Sequence, residues 1–403
     1  MHMLALALRN LTRHSRRTLI TTLAVAFGAL AIVCLQAIAN GFVKNLIENS
    51  VLNKVGAVQV FKRGYLGSDD PLAMSFADDE ALQGRIRAVP GVAALAPRLD
   101  FDGMLSNGSD ATMFVATAID PRREYQVCPR RASYLARGSQ PLGPGDERSA
   151  VIGKQLVDSL GAMKGSTLVM QAAGAHAATN ALDVQVHGFL PHTHPVESKR
   201  LATVPLAFAQ ELLRMKGQVT EYVVGVAELG EVEAVAARVR GAVGDGFEVT
   251  TWRQIDIGTR DRAPLLQYIL DFIAVVLFFL VSTGIVNTMM MSVHERVREI
   301  GTMLAVGVRR WQVTVLFLLE ATLLGLGSAI LGTGAGVAVV QVVARRGIET
   351  KLIGDDVVVV FPFIGASSLG LIVALTVLGT VLAAAYPTWK AARLRPVDAL
   401  RST

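Results

Sequence analysis

Cysteine is nearly absent. The two in 403 residues are Cys34, in an apolar run, and Cys128, in a polar stretch, a placement that offers no obvious internal disulfide and leaves the polar part of the chain to hold together by packing. Charged residues are scarce at 18% and aromatics at 6%. Several chemistries lack their motifs. There is no G-x-x-x-x-G-K-[ST] phosphate loop; the stretch GAMKGST from Gly161 to Thr167 comes nearest, with the wrong spacing. There is no H-E-x-x-H helix and no nucleophile elbow. His187, His192 and His194 cluster near Pro191 and Pro195, but the segment reads as a loop with no Cys and only Glu197 as an acid, so surface histidines explain it better than zinc. No catalysis, no metal site and no bound cofactor are expected of the chain alone.

What the chain has in abundance is apolar residues, 52% of the total, gathered into blocks long enough to span a bilayer at roughly 20 residues each. The blocks run over about 18–40, 264–291, 312–343 and 361–386. A cleaved signal peptide would have a shorter apolar core than the first block, which is therefore read as a retained span. More than 200 residues of ordinary globular composition separate the first block from the second. The expected fold is an α-helical membrane protein with four transmembrane helices in a one-plus-three arrangement and a large α+β extracytoplasmic domain between the first and second.

Orientation follows from the short flanks, because Lys and Arg near span ends stay cytoplasmic. Arg9, Arg13, Arg16 and Arg17 precede the first block; Arg296, Arg298, Arg309 and Arg310 lie between the second and third; Lys390, Arg393, Arg395 and Arg401 follow the fourth. All three segments read as cytoplasmic, which places the large domain outside. In that domain 25 acids balance 24 bases between residues 41 and 262, so the net charge of +6 belongs to membrane anchoring and gives no support to a nucleic-acid partner.

The expected organisation is a cytoplasmic amphipathic N-terminal helix over 1–17, a first transmembrane helix over 18–43, the outer domain over 44–262, and three further transmembrane helices within 263–403, with a basic tail over 387–403. In the N-terminal helix Leu4, Ala7, Leu8 and Leu11 share one face, the pattern of a helix lying on anionic lipid. Inside the outer domain, alternating strand and helix patterns over 45–118 and 200–262 suggest one α+β unit, with a mostly β insertion over 119–199. The third block carries Ser328, Gly332 and Gly336 at four-residue spacing, a nearly bare helix face that lets another backbone approach closely. Two acids lie inside blocks, Asp271 and Glu320. With no Lys, Arg or His on any span to pair with them, they are expected near the outer surface and bonded to a neighbouring helix, respectively, and not on a proton path.

The link between the second and third blocks reads NTMMMSVHERVREIGTMLAVG over residues 287–307. It resembles the cytoplasmic coupling helix of the FtsX-like permeases, the membrane subunits of the MacB and LolC/LolE group of type VII ABC transporters, whose motif N-T-M-x-M-S-V-x-E-R-x-R-E-I-G-x-x-x-A-x-G it matches at every specified position. LALRNLTRHSRRT, within residues 4–18, is similar to the Arg-rich opening of that family, and YPTWKAARLRPVDALR, residues 386–401, to its ending. VIGKQLVDSLGAMKGSTLVMQ resembles a strand-loop-strand element of its periplasmic domain.

The resemblance implies a coupling helix over 293–307 that docks on a separate ATPase. Glu295, Arg296, Arg298 and Glu299 would supply its charges, and Ile300, Gly301, Leu304, Ala305 and Gly307 its packed remainder. It further implies a cytoplasmic ABC ATPase dimer carrying ATP and Mg, a second permease (a copy or a paralogue), membrane lipid around the spans, and location in the inner membrane. The spans flanking the outer domain, entering through Asn40–Asn53 and Gln254–Pro264, would relay the stroke of the ATPases as mechanotransmission. Four spans without a fused ATPase are similar to lipoprotein-releasing members, and residues 186–213 resemble their G-x-x-x-T-G-x-x-E-x-D region, with Ser198 and Lys199 around the position of the usual acid. The expected function is extraction or export of a lipoprotein or other hydrophobic cargo, with a periplasmic chaperone or adaptor as a further partner. The alternatives are an FtsX-type signalling permease that activates a cell-wall hydrolase, and MacB-like drug or peptide efflux through an adaptor.

Overall fold

The structure, a computed structural model, describes residues 6–7, 9–10, 13, 15–136, 138–174, 178–190, 195–350 and 358–393. Its contacts divide the chain into two units, Met1–Lys44 with Pro264–Glu349 and Val359–Thr403, and Asn45–Ala263 with Thr350–Val358. Helix α1 (Ser15–Asn49) leads into a π-helical stretch, Ser50–Val55, which ends at Gly56. There φ is +77°, and a Cβ would lie 2.1 Å from Val223, so the turn needs glycine twice over, for conformation and for space.

The second unit begins with β1 (Val58–Lys62), β2 (Phe76–Ala77), α2 (Glu80–Arg87), β3 (Val92–Ser106), β4 (Ala111–Ile119) and α3 (Pro121–Val127). It continues through β5 (Ser149–Gly153), α4 (Lys154–Ser159), β6 (Thr167–Ala173), β7 (Thr179–Leu190), α5 (Pro195–Arg200), β8 (Leu201–Pro205) and α6 (Leu206–Leu212). It closes with β9 (Gln218–Val219), β10 (Glu221–Val226), α7 (Val232–Val243), β11 (Phe247–Thr251) and α8 (Trp252–Ile255). Local chemistry sets the helix starts: the Asp79 carboxylate accepts from Ala81 N at 2.9 Å and the Asp120 carboxylate from Arg122 N at 3.1 Å, each satisfying an N–H that the first turn leaves over. Pro121 follows its cap at the first helical position, where a missing N–H costs nothing.

One nine-stranded sheet runs β11-β1-β10-β3-β4-β8-β5-β7-β6, and β6 returns to pair with β3. The strands from β3 through β6 thus close into a six-stranded barrel. Its core holds Leu99, Phe101, Phe114, Ile152, Leu168, Met170 and Val186, while β6 alternates between exposed and buried along its whole length. The other lobe packs α2 and α7 on β11, β1, β10 and the start of β3 through Val60, Ile86, Leu95, Tyr222, Val235 and Val239.

Strand β3 belongs to both lobes, and here the observed organisation differs from the sequence reading. Its first half pairs with β10 (Leu95 opposite Val224) and its second with β4 (Phe101 opposite Ala116) and β6 (Leu105 opposite Met170). The β insertion is therefore not confined to 119–199: β4, β8 and the end of β3, placed with the α+β parts, are barrel strands. The element VIGKQLVDSLGAMKGSTLVMQ is strand–helix–strand, since α4 stands between β5 and β6.

Where the two lobes share β3, a charged cluster is buried beneath α3. Arg98, 3% exposed, donates from Nη2 and Nε to Glu124 at 2.6 and 3.0 Å and from Nη1 to Glu221 at 3.4 Å. Arg131 Nη1 donates to Glu124 at 2.8 Å, and Cys128 Sγ lies 3.3 Å from Arg98 Nη2. Asp100 is half-buried beside them, with its Oδ1 atom sealed from solvent and lacking a hydrogen-bond partner among the described residues. Burial, then the Asp100 charge, pushes the Glu221 carboxyl up to about 8 against the pull of Arg98. Burial likewise raises Asp100, while Arg98 and Arg131 hold Glu124 below the ordinary carboxylate value despite its burial.

The first unit holds α1 as far as Lys44 and α9 (Ile257–Glu295) from Pro264 onward, together with α10 (Val297–Ala305), α11 (Arg310–Arg346), most of β12 (Ile348–Thr350) and β13 (Val358–Val360), and α12 (Ala366–Ala392). Among the described residues, helices α1, α9, α11 and α12 are the four long and apolar enough to cross a membrane. Small residues set their approach. A Cβ on Gly332 would lie 2.3 Å from the Ala26 carbonyl oxygen, and one on Gly336 2.8 Å from Val33 Cγ1. The bare face of α11 at Gly332 and Gly336 thus meets α1 of the same chain, and Ser328, one turn earlier on that stripe, is fully buried. Sequence inspection missed Gly28, which faces Val281, and Gly379, which lies under the Phe278 ring.

Candidate functional site

The segment after α9 is built from a helix break. α9 ends at Glu295, Arg296 adopts φ −106° and ψ 14°, and α10 restarts at Val297. The coupling helix expected over 293–307 is therefore two pieces, and Glu295 and Glu299 do not share one helix at i, i+4 spacing. Neither Gly nor Pro marks the break, which falls on Arg296. α10 ends after Ala305, and Gly307, at φ +99°, turns the chain toward α11.

α10 is strongly two-faced. Ile300 and Gly301 are buried, and Ile300 packs with Val293, Val313, Phe317 and Ala391, with Met303, Leu304 and Val308 against the same cluster. The outward side presents Arg298, Glu299 and Thr302, with Glu295 exposed just before it; Ala305 and Gly307, expected among the packed residues, are exposed as well, since they fall at the end of the helix and in the turn beyond it, and Val306 stands 87% exposed between them. An apolar knob among fixed charges suits a groove on another protein.

Arg296 is placed differently from the sequence expectation. Only 8% exposed, it points inward to Glu320, itself 4% exposed, and its Nη1 lies 3.2 Å from both carboxylate oxygens. Asn10 Nδ2 donates to the same carboxylate at 2.6 Å. Glu320 bonds a neighbour as expected, but its partner is an arginine. Removing one member of such a buried pair costs about 3–5 kcal/mol, because the other is left unpaired. The N-terminal segment makes a second contact, Arg13 to Glu299 at 3.3 Å; both side chains are largely exposed there, so this pair contributes at most about 1 kcal/mol. Asn10, Arg13 and Ala7, which was expected on the lipid face and is fully buried, show that this segment packs on protein, whereas Leu4, Leu8 and Leu11 lie outside the described residues.

The other candidates are placed as follows. Asp271 is exposed on α9 and accepts from Gln267 Nε2 at 2.9 Å. His187 lies 3.6 Å from Asp146, His192 and His194 fall outside the described residues, and among those described no three metal-binding side chains gather. Lys390 and Arg393 stand at the end of α12, while Arg395 and Arg401 lie outside the described residues. Sequence inspection missed Asn10; its place inside the Arg-rich opening was the available signal.

Two families match. Residues 272–396, which include α10, match the FtsX-like permease C-terminal family, and residues 18–242 match the MacB-like periplasmic core domain. The macrolide export ATP-binding/permease protein MacB of Nitrobacter winogradskyi is 24% identical over 95% of this chain and 58% of its own length. That of Syntrophobacter fumaroxidans is 26% identical over 98% of this chain and 63% of its own length. The chain thus spans about three fifths of the length of these curated relatives. Among solved structures, the periplasmic region of MacB from Actinobacillus actinomycetemcomitans aligns with 54% of this chain and 98% of its own, at 10% identity and a TM-score of 0.37. With one family covering more than half of the chain and the other its last three long helices, this multi-pass inner-membrane protein with a large extracytoplasmic domain belongs to the FtsX-like permeases with a MacB-like periplasmic core.

Proposed function

We propose that this chain is the permease subunit of an ABC transporter, that α10 and the turn after it dock on a separate cytoplasmic ATPase holding ATP and Mg, and that the stroke is delivered to the outer unit to extract or export a lipoprotein or other hydrophobic cargo from the inner membrane. The observation that carries the reading is the division of labour on α10. Ile300 and Gly301 anchor it, and Arg298, Glu299 and Val306 are presented outward. A solvated loop would need no such base. A second permease, a copy or a paralogue, and an outer chaperone or adaptor complete the proposed assembly.

Cargo of the macrolide type is the second reading, favoured by the names of the relatives, which describe macrolide export. The test of docking comes first: Glu295→Arg with Arg298→Glu should abolish co-purification of the ATPase from native membranes while the chain remains membrane-inserted. Undiminished co-purification would remove α10 as the docking element. Mass spectrometry of what accompanies the wild-type complex separates the cargo readings: lipoproteins or a lipid-binding chaperone support the first, an efflux adaptor the second, and a cell-wall hydrolase would replace both with signalling.

A further inference from the structure

We propose that Arg296 and Glu320, steadied by Asn10, are positioning residues that make the docking segment and α11 move as one piece, so that the ATPase stroke reaches the membrane helices through this ion pair. The inference rests on the docking function proposed for α10 and adds the element that transmits it.

Three observations point to transmission as a task apart from docking. First, the break between α9 and α10 falls on Arg296 itself, so the residue that interrupts the helix is also the one that bonds α11. Without another tie, a break would let α10 swing independently of the helices on either side. Second, the pair is nearly sealed from solvent at 8% and 4% exposure, so it is unavailable to a docking partner, unlike Arg298 and Glu299 on the outward side. Third, Glu320 lies ten residues into α11, about 15 Å along the helix from its start. The tie therefore grips α11 well inside the span. Asn10 brings the N-terminal segment to the same carboxylate, and three separate stretches of chain converge on one acid.

Apolar residues surround the base of α10, with Val293, Ile300, Val313 and Phe317 in one cluster, and an apolar pair at 296 and 320 would pack there without desolvating charge. What an apolar pair would lack is direction. Two hydrogen bonds from one guanidinium nitrogen to both oxygens of one carboxylate fix the end of α9, the start of α10 and the first third of α11 relative to one another, whereas apolar contacts permit sliding.

The experiment uses the full chain assembled with its ATPase, in a background with Cys34→Ser and Cys128→Ala, carrying spin labels at exposed Met163 and Val342. The distance between the labels is measured without nucleotide and after trapping with ATP and vanadate. The wild-type chain should show an ATP-driven change. Glu320→Gln should retain the ATPase at wild-type stoichiometry yet lose that change, and exchanging the charges, Arg296→Glu with Glu320→Arg, should restore it. Asn10→Ala, which leaves the ion pair intact and guards against misfolding of the other variants, should keep the ATPase and show a smaller change. A Glu320→Gln or Asn10→Ala complex with the full wild-type change overturns the inference, as does a charge exchange that restores nothing while the ATPase stays bound. A wild-type chain that binds no ATPase, or shows no ATP-driven change, refutes the docking reading instead.

Discussion

Replacing Glu221 with Gln should remove a pH dependence from the stability of the outer unit. The cluster around Arg98 contains three acids, Asp100, Glu124 and Glu221, and two bases, Arg98 and Arg131. The surplus acid holds its proton: Glu221 is pushed up to about 8 from an ordinary 4.5, chiefly by burial. A carboxyl whose folded value exceeds its unfolded value binds more protons in the native state. Its stabilisation is therefore fully present below about pH 4.5 and is lost as pH rises through about 8. Asp100 shifts in the same direction. Glu124 and Asp256 shift downward, so their stabilisation is lost only as pH falls below the ordinary carboxylate range, outside the window of interest.

At about 1.4 kcal/mol per pH unit for one proton, flattening as the folded value is approached, the unit should lose about 2 kcal/mol between about pH 6 and 8, or about 30-fold in its opening equilibrium. Cys128, fully buried within the cluster, supplies the assay. With Cys34 replaced by Ser, it is the sole thiol in the chain, and its labelling rate, divided by that of the denatured chain at each pH, reports opening of this region. Glu221→Gln keeps the shape and an acceptor for Arg98, so its profile should be nearly flat over the same window. A variant profile as steep as that of the wild type would show that Glu221 is not the group that holds the proton.

Gly332→Leu should separate α11 from α1, because even the first side-chain carbon would sit 2.3 Å from the Ala26 carbonyl oxygen. A loss of about 1–3 kcal/mol, typical of overpacking, should appear as a lower unfolding temperature of the purified chain, and an unchanged temperature would place that face against lipid. Gly103→Val should open the barrel where β3 meets β6, since a Cβ there would lie 2.1 Å from the Gln171 carbonyl oxygen. Amide exchange at Val169 and Gln171 should accelerate while the pairing of β1 with β10 stays protected; unchanged exchange at those residues would refute closure of the barrel.

The membrane spans were legible because an uninterrupted apolar run reports its environment without reference to any other part of the chain. The outward charges of α10 were legible for a similar reason, the match of residues 287–307 to a contiguous motif. The role of Arg296 was not, because it depends on a partner 24 residues away and on a helix break that no Gly or Pro announces. Gly332 and Gly336 declared a close approach but not its partner, which is α1. The double membership of β3 was hidden in the same way. Alternation shows that a strand has two faces, but the strands beside it are set by β10, more than 100 residues later, and by β6.

That shared strand constrains how the outer unit can be altered by evolution or by design. Leu95 serves one core and Leu99 the next along the same continuous strand, so the lobes are locked in phase. A single residue inserted near Arg98 would turn Leu99, Phe101 and Leu105 out of the barrel while leaving the other lobe intact. Length changes are accordingly tolerable only in the loops, and a barrel borrowed from a relative must be spliced in after the middle of β3 and rejoined beyond β8 with no change of register. Such a cassette carries α3 with it, so Arg98 and Glu221 stay in the host lobe while the borrowed segment must bring its own carboxylate to the place of Glu124.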